Sequence, residues 1–198
     1  MTKVVGITGG IGSGKSTLVK HIKKRRYPVH DSDSVVKTIY QKPTYKFKLY
    51  LNKIGLKKSI KKNRIDKKNI SKTIFSNPKL KNKLELFIHA EVKKKRDMFI
   101  KKHKKNKTNL IFIDVPLLLE KKLDKNFNII LSLLCPKTKR LRRVKKFRNI
   151  PESLFKLILN NQTSDVERLK RSDYCIYNNK SKKMLFINFD KFLKKINT

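Results

Sequence analysis

Residues 6–17 read Gly-Ile-Thr-Gly-Gly-Ile-Gly-Ser-Gly-Lys-Ser-Thr, and Gly9, Gly14, Lys15 and Ser16 within them have the G-x-x-x-x-G-K-[ST] spacing of a phosphate-binding loop. The residue types suit that chemistry. Glycine lets the backbone take positive φ angles and approach a polyphosphate closely. The amides of Gly12, Ser13, Gly14, Lys15, Ser16 and Thr17, opening a helix, offer N–H donors and a partial positive charge. Lys15 would reach the β- and γ-phosphates of a nucleoside triphosphate, and the Ser16 hydroxyl would ligate Mg²⁺. A chance glycine-rich turn would lack the flanks seen here: an apolar run, Val4-Val5-Gly6-Ile7, precedes the loop and a helical pattern follows it.

Acids are scarce in this chain, so their positions carry information. Asp31 and Asp33 stand two residues apart at the end of a short strand, where open α/β sheets bind ligands. The plain alternative is helix capping: Ser32 or Asp33 is expected to cap the helix that carries Val35, Val36 and Ile39. Asp114 ends the apolar strand Leu110–Ile113, an arrangement that binds Mg²⁺ directly or through water, although a loop Asp can also simply cap a turn. Arg140, Arg142 and Arg143 lie on a helix opened by Pro136, where an arginine can fold over a transferring phosphoryl group. Arg143 leads that set, against a solvated basic face as the plain reading.

The elements that must position these groups follow from periodicity. Strands are expected at Lys3–Thr8, Pro28–His30, Leu110–Ile113, Phe127–Leu134 and Tyr174–Tyr177. The first helix, Ser16 to about Lys24, turns Leu18, Val19 and Ile22 inward. Between Gln41 and Asn109 strand patterns vanish and helical spacing dominates, broken at Pro43, at Asn63–Asp66 and at Pro78. Leu154, Leu157 and Ile158 are expected to face inward on a helix that continues through Gln162 to Arg168. A last amphipathic helix, with Leu185, Phe186, Phe189, Phe192, Leu193 and Ile196, is expected to cover the sheet. Alternating strands and helices argue for an α/β fold with a five-stranded parallel sheet covered on both faces and a helical insertion.

Composition narrows the classes. No apolar run in the 198 residues approaches the roughly 18 of a membrane span, and strand and loop begin at once, so a membrane protein and a signal peptide are not expected. Cys135 and Cys175 have no metal-ligand spacing and no disulfide framework, which suits a reducing cytoplasm. The net charge of +39 raises nucleic acid as a partner. The excess is mostly lysine and spread over the whole chain, as compositional drift in an AT-rich genome would produce, so no specific nucleic acid is expected.

The separated motifs together resemble the dephospho-CoA kinase family over essentially the whole chain. Thr8–Ser16 is identical to the family loop T-G-G-I-G-S-G-K-S, Asp31 and Asp33 match its D-x-D, and Asp114–Glu120 matches [DV]-x-P-L-L-x-E. Gln162 and Arg168 match a late Q-x-x-x-x-x-R, while the family's H-P-L-V survives only as His89-Ala90-Glu91-Val92. The resemblance implies a P-loop NTPase fold with a core at about 1–40, 110–137 and 161–198, an inserted helical substrate lobe at about 41–109, and a lid at about 138–160. It implies ATP and Mg²⁺ as donor and cofactor, and phosphorylation of the 3′-hydroxyl of dephospho-CoA, the last step of coenzyme A synthesis. Within that frame Lys15 holds the donor phosphates. Asp33 orients the attacking hydroxyl. Arg143 closes over the γ-phosphate. Ser16, with Asp114 or Asp31, anchors the metal, and Asp31, Asp33, His89 and Gln162 lie on the substrate side. Departures from the family pattern fall elsewhere: Ala90 for Pro, Phe147 for Arg, Arg26 for a turn Gly, and Tyr177 and Lys180 around Asn178-Asn179.

Two other readings fit part of the pattern. Another small-molecule P-loop kinase, such as one acting on a nucleoside monophosphate, shares the loop and lid. A basic nucleic-acid-binding protein with a regulatory nucleotide site fits the charge.

Overall fold

Seven consecutive residues, Lys3–Gly9, form strand β1, and all but Lys3 are buried, as expected of a central strand flanked on both sides and covered on both faces. The computed structural model describes residues 1–62 and 64–197; Asn63, within the expected break at Asn63–Asp66, and Thr198 lie outside the described residues, as does the side chain of Asn197. The remaining strands are β2 (Val29–Asp31), β3 (Leu110–Asp114), β4 (Ile129–Leu134) and β5 (Tyr174–Tyr177), in the spatial order β2-β3-β1-β4-β5. The sheet is parallel, with Ile7 opposite Asp114 in one neighbour and Gly9 opposite Leu133 in the other. That register brings Asp114 to the edge where the glycine-rich loop departs. All five expected strands are present. The fourth starts at Ile129 because Phe127 instead packs over Gly6, where a Cβ would lie 2.9 Å from its ring.

The helices are α1 (Lys15–Lys24), α2 (Ser32–Gln41), α3 (Tyr45–Lys53), α4 (Lys67–Phe75), α5 (Pro78–Lys105), α6 (Lys137–Arg148), α7 (Glu152–Asn160), α8 (Asp165–Lys170) and α9 (Lys182–Asn197). One core joins Leu18, Val19 and Ile22 of α1 and Leu185, Phe189, Phe192 and Leu193 of α9 to the sheet residues Val5, Ile7, Phe112, Leu131 and Leu133. The last helix therefore covers the sheet as its apolar spacing requires. Each of its buried aromatics contributes about 1.5–3 kcal/mol by leaving water. Among the described residues no helix is long and apolar enough to cross a membrane.

The stretch after Pro151 departs from expectation. It holds two helices, because Ser164 takes an extended conformation and its hydroxyl accepts the Glu167 N–H at 3.1 Å, starting α8 afresh. On α7 the buried residue is Phe155, whereas Leu154 and Leu157 are 45% and 62% exposed.

The chain divides into two compact units, residues 1–30 with 102–198, and residues 31–101. The second overlaps the expected lobe at 41–109. It starts at Asp31 because Val36, Ile39 and Tyr40 of α2 pack on the core formed by Phe47, Leu51, Leu56, Ile65, Ile70, Leu84 and Ile88.

Candidate active site

The loop between β1 and α1 is shaped from behind. Gly12 and Gly14 have φ of 75° and 100°, which favour glycine, and a Cβ on either would meet Arg140 O at 2.8 Å or Asn178 Nδ2 at 2.2 Å. Asn178 lies just past β5, is buried, and donates from Nδ2 to Ser13 O at 2.8 Å. Arg143 on α6 reaches the carbonyls of Gly12 (3.4 Å), Ser13 (3.5 Å) and Asn178 (3.1 Å) and the Cys135 sulfur (3.3 Å). Burial raises the pKa of the Cys135 thiol, opposed by the positive charge of Arg143, so the group remains a weak acceptor at neutral pH. Gln162 Oε1 accepts the Ile11 N–H at 2.9 Å. Carbonyls are thus drawn backward by donors from distant parts of the chain.

The front of the loop has the opposite character. Gly14 caps α1 without a side-chain hydrogen bond, and the first helical turn carries no acid. Its orphan amides and the positive end of the dipole fit an anion. Lys15 Nζ lies 2.6 Å from Asp114 Oδ1, with side chains 12% and 6% exposed. Among the described residues no group of three or more His, Cys, Asp or Glu could hold a metal alone. The donor set suits Mg²⁺ held by one hydroxyl, one carboxylate and phosphate oxygens, the usual manner for this ion.

A second network supports the strand that feeds the loop. Arg168, fully buried on α8, donates to Thr8 Oγ1 at 3.2 Å and to Glu120 Oε1 at 2.6 Å, and the same oxygen accepts the Thr163 N–H at 2.9 Å. Arg140 is also buried and pairs with Asp165 at 3.3 Å, while Arg142 is exposed. Spacing alone does not disclose these pairs, whose members are 25 to 160 residues apart. The signal was the joint occurrence of Gln162, Arg168 and Asn178 in the family pattern.

The other expected residues belong to the second unit. Asp31 ends β2 and, rather than Ser32 or Asp33, caps α2: its backbone is extended and Oδ1 accepts the Ser34 N–H at 3.0 Å. Asp33 is exposed in the first turn of α2 and lines a cavity of about 900 Å³. His89 is exposed on α5.

Known proteins place this arrangement. A family model for dephospho-CoA kinase matches residues 3–183. The chain is 33% identical over 194 residues to a dephospho-CoA kinase of Fusobacterium nucleatum, with 98% of each chain covered. Among solved structures, a Thermus thermophilus protein superposes with a TM-score of 0.78 at 25% identity, covering 98% of this chain and 97% of that one. Dephospho-CoA kinase from Campylobacter jejuni superposes with a TM-score of 0.74 at 23% identity over 100% of both chains, a likeness of fold.

Proposed function

Because the chain belongs to the dephospho-CoA kinase family, we infer that it transfers the terminal phosphoryl group of ATP to the 3′-hydroxyl of dephospho-CoA, giving ADP and coenzyme A. The observation that carries this reading is the family match over 181 of 198 residues, residues 3–183, on a chain whose glycine-rich loop opens a helix with no acid in its first turn. Nothing in the family match favours a nucleoside monophosphate kinase or a nucleic-acid-binding protein. A small-molecule substrate and a cytoplasmic enzyme suit this reading.

Phosphoryl transfer of this kind asks mainly for alignment and charge neutralisation. We assign the donor phosphates to the amides of Gly12, Ser13, Gly14, Lys15, Ser16 and Thr17, which the backward pull on the loop carbonyls keeps pointing forward. Lys15 exchanges its Asp114 partner for phosphate oxygens. Ser16 and Asp114 would hold Mg²⁺, with Asp31 engaged in its cap. When bound, Mg²⁺ neutralises charge across the β- and γ-phosphate oxygens. Asp33 accepts the hydrogen bond of the attacking hydroxyl and takes its proton as the O–P bond forms. Arg143 holds the loop's carbonyls from behind, and its positive charge there favours the donor phosphates bound on the loop. Gln162 serves the reaction by fixing Ile11 at the loop's first half, and His89 meets the acceptor side.

An ADP-release assay with dephospho-CoA, AMP, CMP and shikimate as separate acceptors tests the function. Turnover with dephospho-CoA at least a hundredfold above the others is expected. Turnover with a nucleotide and none with dephospho-CoA would overturn it.

A further inference from the structure

The peptide between Ser13 and Gly14 has a freedom that the loop must remove. Gly14 has φ of 100°, and a Cβ there would lie 2.2 Å from Asn178 Nδ2, so the position takes glycine. Glycine adopts either sign of φ readily, so this peptide can flip at little cost. In a trans peptide the C=O and the N–H point opposite ways. A flip would therefore aim the Ser13 carbonyl at a bound phosphate in place of the Gly14 N–H.

Asn178 opposes that flip. Its Nδ2 donates to Ser13 O at 2.8 Å in a buried hydrogen bond. Ser13 O only accepts, which sets the side-chain amide with its nitrogen toward the loop. Arg143 Nη1 also reaches Ser13 O, but at 3.5 Å, the outer limit of a hydrogen bond, so the Asn178 bond decides the orientation. Asn178 is itself mounted on the sheet. Its N–H donates to Leu134 O at 2.8 Å, extending the ladder of β4 and β5 beyond the Leu134–Tyr177 pair. Its carbonyl accepts Arg143 Nη2 at 3.1 Å. All of these residues belong to the same unit.

We propose that Asn178 is a positioning residue for the donor: its side-chain amide keeps the Ser13–Gly14 peptide turned so that the Gly14 N–H meets the phosphates of the nucleotide. The contact that demands glycine at position 14 is the contact that stops it flipping. The proposal rests on the reading of the loop as the nucleotide site and is independent of which acceptor is used.

The test compares Asn178→Leu, close in size but without a donor, with Asn178→Ala; both keep the backbone bond to Leu134. Loss of one buried hydrogen bond predicts that the calorimetric Kd for ADP with Mg²⁺ rises about tenfold in both variants, with the Kd for dephospho-CoA within about twofold of wild type. The chain has six glycines, and Gly14 alone among them follows a serine. Cell-free synthesis with ¹⁵N-glycine and ¹³C′-serine therefore singles out the Gly14 amide. Its proton should move downfield when ADP saturates the wild type, as a charge-assisted hydrogen bond requires, and by about half as much or less in the variants. The signals of Gly6 in β1 and Gly55 in the other unit should stay in place and show that each variant is folded. If Asn178→Leu matches the wild type while Asn178→Ala weakens, Asn178 only fills space and the proposal is overturned. A full Gly14 shift in both variants overturns it as well. No Gly14 shift in the wild type refutes the nucleotide site and the positioning role together, whereas turnover of a different acceptor refutes the inferred substrate alone.

Discussion

Lys15 Nζ and Asp114 Oδ1 are 2.6 Å apart and almost shut off from water, so the cation that should greet the donor phosphates is neutralised by the carboxylate that should anchor the metal. An incoming nucleotide without Mg²⁺ must separate the pair and leave Asp114 facing phosphate. Asp114→Asn keeps the shape but removes that charge. It should tighten ATP binding in EDTA by about tenfold, a change of about 1.4 kcal/mol, while lowering kcat with Mg²⁺ by at least two orders of magnitude. Removing one partner of a buried pair should also destabilise the nucleotide-free protein by about 3–5 kcal/mol, and ATP should recover part of this. Titration calorimetry with and without Mg²⁺ reads the first effect; weaker binding in EDTA would contradict it.

Asp33 is the acid of the D-x-D pair that we assign to the chemistry, because Asp31 caps α2 at Ser34. Asp33→Asn should reduce kcat by about 10²–10⁴-fold, the usual range for a positioned proton acceptor. ATP affinity and Tm should hardly move, since the side chain is exposed and caps nothing. Asp31→Asn, still able to cap, should retain far more activity than Asp33→Asn. Equal losses in the two variants would show that the pair acts as a unit.

The fold was legible where its signals are local. The loop, the three buried positions of α1 and the apolar stripe of α9 repeat within a few residues. What escaped depended on distance or on a cap. The break before α8 was written in Ser164-x-x-Glu167, a capping signature that the apolar spacing of Leu154–Ile158 overshadowed. Phe155 rather than Leu157 faces the core, and apolar residues on neighbouring positions of one short helix do not reveal which of them turns inward. At the site the front of the loop was visible from residue types. Its back was not: Asn178 on Ser13, Gln162 on Ile11 and Arg143 on Gly12 join parts of the chain more than 130 residues apart.

Arg168 and Glu120 make the most deeply buried ion pair described, at 0% and 12% side-chain exposure, and Arg168 also holds Thr8 directly before the loop. Glu120→Leu leaves a buried guanidinium without its counter-charge and should cost about 3–5 kcal/mol. Glu120→Leu/Arg168→Met removes both charges and should be less destabilised than the sum of the single variants, with a coupling of about 1–3 kcal/mol. Urea unfolding of the four proteins closes the cycle. Additive losses would mean that the two side chains do not stabilise each other.

Arg26, just beyond α1, has φ of 61° and an exposed side chain, and its N–H donates to Lys23 O at 3.0 Å. A left-handed backbone costs an ordinary residue about 1–2 kcal/mol. Glycine adopts it freely and instead loses more chain entropy on folding, about 0.5–1 kcal/mol relative to alanine. The first term exceeds the second, so Arg26→Gly should stabilise the protein by about 0.5–1 kcal/mol and raise Tm by about 1–4 °C for a chain of this length. The backbone bond to Lys23 is available to glycine as well. Kinetics should be unchanged, because the turn lies at the far end of α1 from the phosphate loop. Thermal and urea unfolding measure the shift, and an unchanged or lower Tm would mean that the Arg26 side chain contributes more than its exposure implies.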